Sequence, residues 1–383
     1  MSDPKKAYPR VPFIDLSHQI KLVKQDFLKK VEKIIDDKDF ISGSNASRLS
    51  AILCSQEQFS GTFVPCANGT DALWLALKAI NRTNKKLKIG CPNLTFWASC
   101  EAIVNTGNVP VFIDVDRNYF QLSFNALQSA HQDHKIDAVV MPHLFGWCSP
   151  DLPAIRTFCE AENITLIEDG AQSFGVKWED EPICAQAKIL TTSFYPAKVF
   201  GGCMDGGGIF VRDPVLADRI QKLANHGRSA HYGFDQIGTN SRMSAIQAAF
   251  LCSLSTKIPE LMSERNRLLA KYDACIQSLD VEACKLLKPP SQVRGNGYLA
   301  CCLIAEREAE LIQKQMQDVF GVTCARTYPS LMTEQTAKFE FVLPKSTPIA
   351  SNFSKSILNP PLFYGLTDAQ IVHVVSSLRN CLC

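Results

Sequence analysis

Two patterns of apolar residues divide the chain. Near the N-terminus, apolar side chains recur every three to four residues, at Ile20, Val23, Phe27, Val31 and Ile34. A period of about 3.6 residues predicts an amphipathic helix. From about residue 60 the pattern changes to short β-rich runs that are separated by helical stretches.

The β-rich runs and the helical stretches alternate over the first two thirds of the chain. The predicted strands are Lys88–Cys91, Val109–Val115, Ile136–Met141, Ile164–Glu168, Ile189–Phe194 and Gly208–Val211. The predicted helices are Ala72–Ile80, Trp97–Val104, Leu152–Glu162 and Ser244–Leu254. Such alternation is typical of right-handed βαβ units, so it predicts an α/β fold with a mostly parallel central sheet flanked by helices.

A proline marks the expected end of this regular part. Pro259 predicts a break in the helical pattern, and the chain beyond it is less regular, with helical stretches and short strands. We therefore expect two domains. Residues 1–258 would form a large α/β domain that includes the N-terminal helix, and residues 259–383 a smaller α+β domain.

Composition excludes several classes of protein. The chain has 383 residues, with 40 Lys and Arg against 38 Asp and Glu. The charges are nearly balanced and no stretch of the sequence is rich in basic residues, so the sequence does not indicate nucleic-acid binding. No apolar run approaches the roughly 18 residues needed to span a bilayer, and the N-terminal stretch has no apolar signal region. We expect a cytoplasmic protein that binds neither nucleic acid nor membrane.

The 16 cysteines do not indicate a metal site. They are scattered, without a Cys-x-x-Cys pair, whereas zinc sites need short paired spacings. Many lie inside apolar segments, so we expect reduced, buried thiols and no metal.

The chemistry is predicted at the carboxyl ends of strands, where parallel sheets gather functional groups. Asp169 follows the run that ends at Ile167, and Lys198 lies in a tight loop beside a glycine-rich turn. The segment 68–71 opens a helix, whose free N–H groups can bind phosphate. Each feature alone has an ordinary structural explanation. Together, a lysine amine, a carboxylate and an anion-binding helix terminus are what pyridoxal phosphate requires.

Six ordered blocks carry a family resemblance, and they are 67–73, 92–99, 111–116, 167–172, 193–198 and 238–249. From Ile14 to Leu378 the chain resembles the DegT/StrS-type sugar aminotransferases, which are fold-type-I pyridoxal-phosphate enzymes. The resemblance implies a transferase that moves an amino group, from glutamate as the expected donor, to a keto group of a nucleotide-linked sugar. Such an enzyme would serve amino-sugar and surface-polysaccharide biosynthesis.

The resemblance also implies the residues that hold and activate the cofactor ring. Lys198 would bind the cofactor covalently and act as the catalytic base, and Asp169 would pair with the pyridine nitrogen. Gln172 would lie near the ring hydroxyl, and the Trp97 ring would stack on the pyridine. His143 matches a recurrent family block, but a histidine that ends an apolar strand is more often a core residue, so we leave it outside the site.

Phosphate binding and assembly follow from the same comparison of motifs. Gly69, Thr70 and Ser193 would hold the cofactor phosphate. Asn240 would reach the phosphate in the site of a second subunit, which implies a homodimer with shared active sites. The alternative is that Asn240 only turns the loop before the next helix.

Some positions depart from the family pattern. The segment 47–50 lacks the usual Phe-Glu pair, and Gly170 replaces the usual alanine. The segment 328–332 reads Tyr-Pro-Ser-Leu-Met, where the family often has Tyr-Pro-x-Pro-Leu-His beside the sugar site. The cofactor assignment is therefore better supported than the sugar.

Three alternative functions are weighed against the sugar aminotransferase. A related ketosugar dehydratase would carry a histidine in place of Lys198. A cysteine desulfurase of the same fold would carry a histidine in place of Ala197. A non-catalytic or regulatory pyridoxal-phosphate-binding homologue is the alternative from a different class, although Lys198, Asp169 and Gln172 are all retained.

Overall fold

The structure is a computed structural model that describes residues 10–41, 43–83, 85–278, 283–304 and 309–382. The helices are α1 Ser17–Asp37, α2 Gly43–Gln56, α3 Gly69–Ile80, α4 Trp97–Asn105, α5 Phe124–His134, α6 Leu152–Ala161, α7 Ile183–Gln186, α8 Pro214–Ala224, α9 Ala245–Leu254, α10 Ile258–Gln277, α11 Ala309–Asp318, α12 Pro348–Ser356 and α13 Asp368–Leu382, with 3-10 turns at Ser255–Lys257 and Met332–Glu334.

The strands confirm the alternation that the sequence predicts. They are β1 Thr62–Cys66, β2 Lys88–Pro92, β3 Val109–Ile113, β4 Ala138–Pro142, β5 Thr165–Asp169, β6 Lys177–Trp178, β7 Glu181–Pro182, β8 Ile189–Ser193, β9 Gly207–Val211, β10 Cys284–Leu286, β11 Val293–Arg294, β12 Cys302–Ile304 and β13 Ile357–Leu358. Each of the six predicted strands is present with its ends shifted by at most two residues.

A seven-stranded sheet, in the order β1-β9-β8-β5-β4-β2-β3, forms the centre of the molecule. Strand β9 runs antiparallel to both of its neighbours, and the other strands run parallel to one another. The predicted α/β fold with a mostly parallel sheet is therefore confirmed. Its carboxyl edge brings the ends of β4, β5 and β8 together, and the neighbouring residues of β5 and β8 include Asp169 and Thr191.

Apolar layers cover both faces of the sheet. On one face, α3, α4 and α8 pack on a buried cluster that includes Leu73, Ile89 and Ile209. On the other face, α5 and α6 pack on a cluster that also takes in side chains from the C-terminal part, such as Phe353. The polar strand ends described below are thus held between two rigid layers.

The N-terminal helix is confirmed as α1, which packs with α2 against α9. Val23 and Ile34 are buried as the periodicity predicts, whereas Ile20 is 42% exposed. Helix α9 is buried on all sides, which explains its lack of an apolar stripe.

Pro259 lies in the first turn of α10, directly after the 3-10 turn, so the predicted break is present. Beyond it, α10, α11, α13 and the sheet β10-β12-β13 share a buried cluster that includes Leu268, Cys302 and Ile371. Val11, near the other end of the chain, packs in the same cluster. The division at 258/259 stays a prediction.

Candidate active site

Asp169 ends strand β5 and is 7% exposed. Its carboxylate is held by two donors, since Ser99 Oγ donates to Oδ2 at 2.9 Å and the Ala171 N–H donates to Oδ1 at 3.1 Å. The Thr95 hydroxyl lies 3.1 Å from Ser99 Oγ and extends this buried network. The carboxylate is therefore fixed in direction at the edge of the sheet.

Behind Asp169 lies a buried charge cluster centred on the preceding residue. Arg156 Nε and Nη2 donate to the two carboxylate oxygens of Glu168 at 2.9 and 2.8 Å, and His143 Nε2 lies 2.9 Å from Oε2. Burial raises the pKa of Glu168, but Arg156 and His143 outweigh it and hold that pKa below its usual value. His143, 1% exposed, thus has a structural partner, in line with its omission from the predicted site.

Lys198 follows strand β8, which is the neighbour of β5. Its backbone N–H donates to the Tyr195 carbonyl at 2.9 Å, so the lysine ends a tight turn. The half-buried side chain places Nζ 3.3 Å from the Tyr298 hydroxyl and 4.9 Å from the centre of that ring. Tyr298 comes from a segment 100 residues further along the chain, and sequence reasoning did not find it.

Gln172 lies in the loop that follows Asp169 and is 8% exposed. Its Oε1 accepts from the Phe145 N–H at 2.7 Å, and its Nε2 donates to the Tyr328 hydroxyl. Burial raises the pKa of Tyr328, so this phenol stays protonated. The amide is therefore fixed in orientation beside Asp169.

The N-terminus of α3 contacts the end of β8. Asn68 caps the helix, its Oδ1 accepting from the Asp71 N–H at 2.7 Å. A methyl group added at Gly69 would lie only 2.7 Å from Ser193 Cβ and 3.1 Å from its hydroxyl. Glycine thus permits the close approach of the first residue of α3 to the Ser193 side chain. Such a helix terminus favours a phosphate.

Two aromatic side chains lie at the start of α4. The Trp97 ring packs edge-on against Phe339, with ring centres 5.7 Å apart, and lies on a cluster with Cys100 and Met332. Phe96, the residue before it, is 61% exposed. Sequence reasoning considered Trp97 and passed over Phe96, although the two rings are adjacent.

Asn240 lies on an exposed loop before α9. Its Oδ1 accepts from Arg242 Nε at 3.0 Å, and its backbone bridges to Asn225. The structure thus places this residue on the surface rather than among the hydrogen bonds that join Asp169, Gln172 and Lys198 to their partners.

The donor set fits pyridoxal phosphate. A buried, oriented carboxylate suits a protonated ring nitrogen, a lysine amine can bond to the aldehyde carbon, and a helix terminus with a serine hydroxyl suits the phosphate. Within the described ranges, no group of three or more His, Cys, Asp or Glu is arranged to hold a metal, and no helix is long and apolar enough to cross a membrane. The described cysteines are free thiols, most of them buried.

Comparisons with known proteins agree with this geometry. The chain is 28% identical over 374 residues to a UDP-N-acetyl-3-dehydro-α-D-glucosamine 3-aminotransferase of Acidithiobacillus ferrooxidans, covering 97% of this chain and 98% of that protein. It is 27% identical to a UDP-2-acetamido-2-deoxy-3-oxo-D-glucuronate aminotransferase of Pseudomonas aeruginosa, covering 97% of this chain and 100% of that protein.

A solved structure shows the same fold. It is an aminotransferase from Brucella abortus that is 26% identical, with a TM-score of 0.89 over 97% of this chain and 100% of that chain. The family model for DegT/DnrJ/EryC1/StrS aminotransferases matches residues 21–379. The chain therefore belongs to the DegT/DnrJ/EryC1/StrS aminotransferase family, as its motifs predict.

Proposed function

We propose that this protein is a pyridoxal-phosphate-dependent aminotransferase that passes an amino group from an amino acid, glutamate being the expected donor, to a keto group of a nucleotide-linked sugar. The observation that carries the proposal is that the buried Asp169 carboxylate and the Lys198 amine are both presented beyond the carboxyl ends of two neighbouring strands, β5 and β8. The close approach of the N-terminus of α3, at Gly69, to Ser193 also supports the proposal. A cytoplasmic location is part of the same proposal.

The bound cofactor supplies an electron-withdrawing ring that stabilises negative charge on the carbon that loses a proton. Asp169 would keep the ring nitrogen protonated, and Ser99 holds that carboxylate in place. Lys198 would take the proton from the α-carbon of the donor and return it on the cofactor side. Gln172 would orient the ring through the ring hydroxyl.

Phosphate binding is proposed for Gly69, Thr70 and Ser193. Stacking on the pyridine is proposed for Trp97, and Phe96 is the alternative because its ring is the more exposed of the two. Separate Trp97→Ala and Phe96→Ala variants distinguish these rings, since loss of the stacking ring weakens cofactor binding more.

The amino acceptor is proposed from chemistry that two relatives share. Both are named for UDP-linked sugars with a keto group at carbon 3. We therefore propose this class of substrate, and a panel of nucleotide ketosugars assayed with glutamate tests it. Exclusive activity on sugars with the keto group at carbon 4 would contradict the proposal.

The first test concerns Lys198. Purified protein mixed with pyridoxal phosphate is expected to gain visible-edge absorbance, and borohydride to fix the cofactor to Lys198, as read by peptide mass spectrometry. Lys198→Ala is expected to lose turnover, because one amine serves both attachment and proton transfer. Recovery of the reduced cofactor on a different lysine would overturn the assignment, and absence of absorbance would favour the non-catalytic alternative.

The second test concerns a homodimer with shared sites. The loop before Asn240 exposes large apolar side chains, with Tyr232 85%, Phe234 56% and Ile237 88% exposed. Such a concentration of apolar surface favours contact with another protein surface, and a second copy of this chain fits an Asn240 that serves the other site.

A mixing experiment separates the shared site from a loop role. Lys198→Ala and Asn240→Ala chains, each inactive alone, are co-assembled. Shared sites predict one site with both lesions and one with neither, so activity is recovered toward half of wild type in mixed dimers. Without recovery, or with a fully active monomer, the shared site is wrong.

A further inference from the structure

The phenol of Tyr298 contacts the amine of Lys198 in two ways. Its hydroxyl accepts a hydrogen bond from Nζ at 3.3 Å, and its ring centre lies 4.9 Å from the same nitrogen. An aromatic face attracts a cation, and a phenol oxygen accepts an N–H whether or not the amine is charged. Among the described residues, no second side chain holds this amine by a hydrogen bond or an ion pair.

Buried polar groups set the position of Tyr298. Asn296, 0% exposed, accepts from the Tyr298 N–H at 3.0 Å and donates to the Gln172 carbonyl at 2.9 Å. Arg265, 3% exposed, donates to the carbonyls of residues 297 and 298 at 3.2 and 3.4 Å. The tyrosine is thereby tied to the loop that carries Gln172.

Two glycines make room for this arrangement. Gly146 has φ of +93°, and a Cβ there would lie 2.4 Å from Asn296 Oδ1 and 2.9 Å from Tyr298 Cβ. Gly297 has φ of +72°, and a Cβ there would lie 2.7 Å from Arg265 Cβ. Only glycine fits these positions without strain, so the local backbone is adapted to hold Tyr298 in place.

We propose that Tyr298 is a positioning residue that holds the ε-amine of Lys198 in one orientation while this amine is not bonded to the cofactor. The inference rests on the proposed function, in which Lys198 is released, moves a proton and attaches again. A free lysine side chain samples many rotamers, and a misplacement of about 1 Å can slow a reaction about a hundredfold. An amine that directs one N–H at the phenol keeps its lone pair available for the proton.

Tyr298→Phe tests the hydroxyl, because it keeps the ring and the volume and removes the acceptor. The rate at which pyridoxal phosphate, added to cofactor-free protein at one pH, attaches to Lys198 is expected to fall about tenfold. Tyr298→Leu removes the ring as well and is expected to be slower still. Attachment is followed by visible absorbance and located by borohydride trapping with mass spectrometry. A tenfold loss equals about 1.4 kcal/mol.

A second readout separates positioning from a structural role. With glutamate deuterated at the α-carbon, the isotope effect on the donor half-reaction is expected to rise in Tyr298→Phe, while the KM for glutamate is kept. A structural role predicts a lower thermal midpoint or weaker cofactor binding with an unchanged isotope effect.

Tyr364→Phe is the matched control, because the Tyr364 hydroxyl bonds to Glu260 at 2.6 Å and touches neither Lys198 nor its partners. It is expected to attach cofactor at the wild-type rate, and circular dichroism checks the fold of each variant. Equal attachment rates and isotope effects in wild type and Tyr298→Phe would overturn the positioning role and leave the proposed function standing. Attachment of the cofactor to a different lysine in wild type would overturn the proposed function itself.

Discussion

Glu57 is a buried carboxylate beneath the loop that carries Gln172. It follows α2, is 4% exposed, and its Oε1 accepts from the Gly175 N–H at 3.1 Å. Burial raises the pKa of Glu57 to about 7, and the Gly175 N–H and the charge of Lys177 offset only part of this effect. We predict that Glu57→Gln stabilises the protein more as the pH rises.

The direction in which stability changes with pH follows from proton linkage. The folded-state pKa of about 7 lies above the reference value of 4.5, so the folded state binds this proton more tightly. Wild-type stability therefore falls as the pH rises from about 4.5 to 7. A shift of about 2.5 units corresponds to roughly 3 kcal/mol, of which about 2.5 kcal/mol falls between pH 5 and pH 8. Glutamine keeps an acceptor for Gly175 and does not ionise, so any fixed cost of the amide is independent of pH.

The assay is the thermal midpoint of cofactor-free protein at a fixed scan rate. At roughly 2.1 cal/mol/K per residue, the unfolding entropy of this chain is about 0.8 kcal/mol/K. The midpoint of Glu57→Gln should therefore gain about 3 °C on wild type between pH 5 and pH 8.

Glu160→Gln is the control of opposite sign. The hydrogen bond from Lys188 lowers the pKa of the exposed Glu160, so its contribution to stability is lost as the pH falls. The difference between Glu160→Gln and wild type should therefore stay nearly constant from pH 5 to pH 8, and the deficit of the variant should shrink only below pH 4.5. A constant difference between Glu57→Gln and wild type from pH 5 to pH 8 would refute the burial penalty.

Two further predictions concern the strand that carries Asp169. Asp169→Asn keeps the size and an acceptor for Ser99 but removes the charge, so the half-reaction with glutamate should slow at least about a hundredfold in rapid-mixing measurements; unchanged kinetics would place the electron-sink role elsewhere. Arg156→Gln leaves Glu168 buried with only His143 beside it, and should lower the free energy of unfolding by about 3 kcal/mol at pH 7 in denaturant titrations. Because Arg156 is a main cause of the lowered pKa of Glu168, this loss should shrink in acid as the pH falls toward that lowered pKa; a loss independent of pH would contradict the charge argument.

The parts of the fold that were predicted are those with a strong local pattern. Fully buried strands such as β3 and β4 read as continuous apolar runs, and helix α4 begins at the predicted residue. Strand β1 was not predicted, because Pro65 interrupts its short run and its partner β9 lies far along the chain. Local signals define an element, whereas its partners depend on the tertiary fold.

The residues of the candidate site differ in the same way, since some have a local sequence signal and others do not. Asp169 and Lys198 were predicted because each follows a recognisable strand. Ser99 and Tyr298 touch these residues from other elements, and their spacing along the sequence carries no signal of that contact. Ser99 lies 70 residues before Asp169, and Tyr298 lies 100 residues after Lys198. Their contacts become visible only when the tertiary fold brings α4 and the segment before β12 to the ends of β5 and β8.

The segment that begins at Tyr328 combines a position that the family pattern shares with positions that depart from it. Tyr328 has φ of +64° and accepts the hydrogen bond from Gln172, so it lies on the side proposed for the cofactor. Thr333 stands where the family pattern ends in histidine, and its hydroxyl accepts a hydrogen bond from Asn93 Nδ2 at 3.1 Å while its N–H donates to Asn93 Oδ1 at 3.1 Å. Threonine has no imidazole nitrogen to offer a sugar hydroxyl, and its own hydroxyl is engaged by Asn93. We therefore expect sugar selection to depend on other residues that border the site, and in a shared site these include the exposed loop before Asn240.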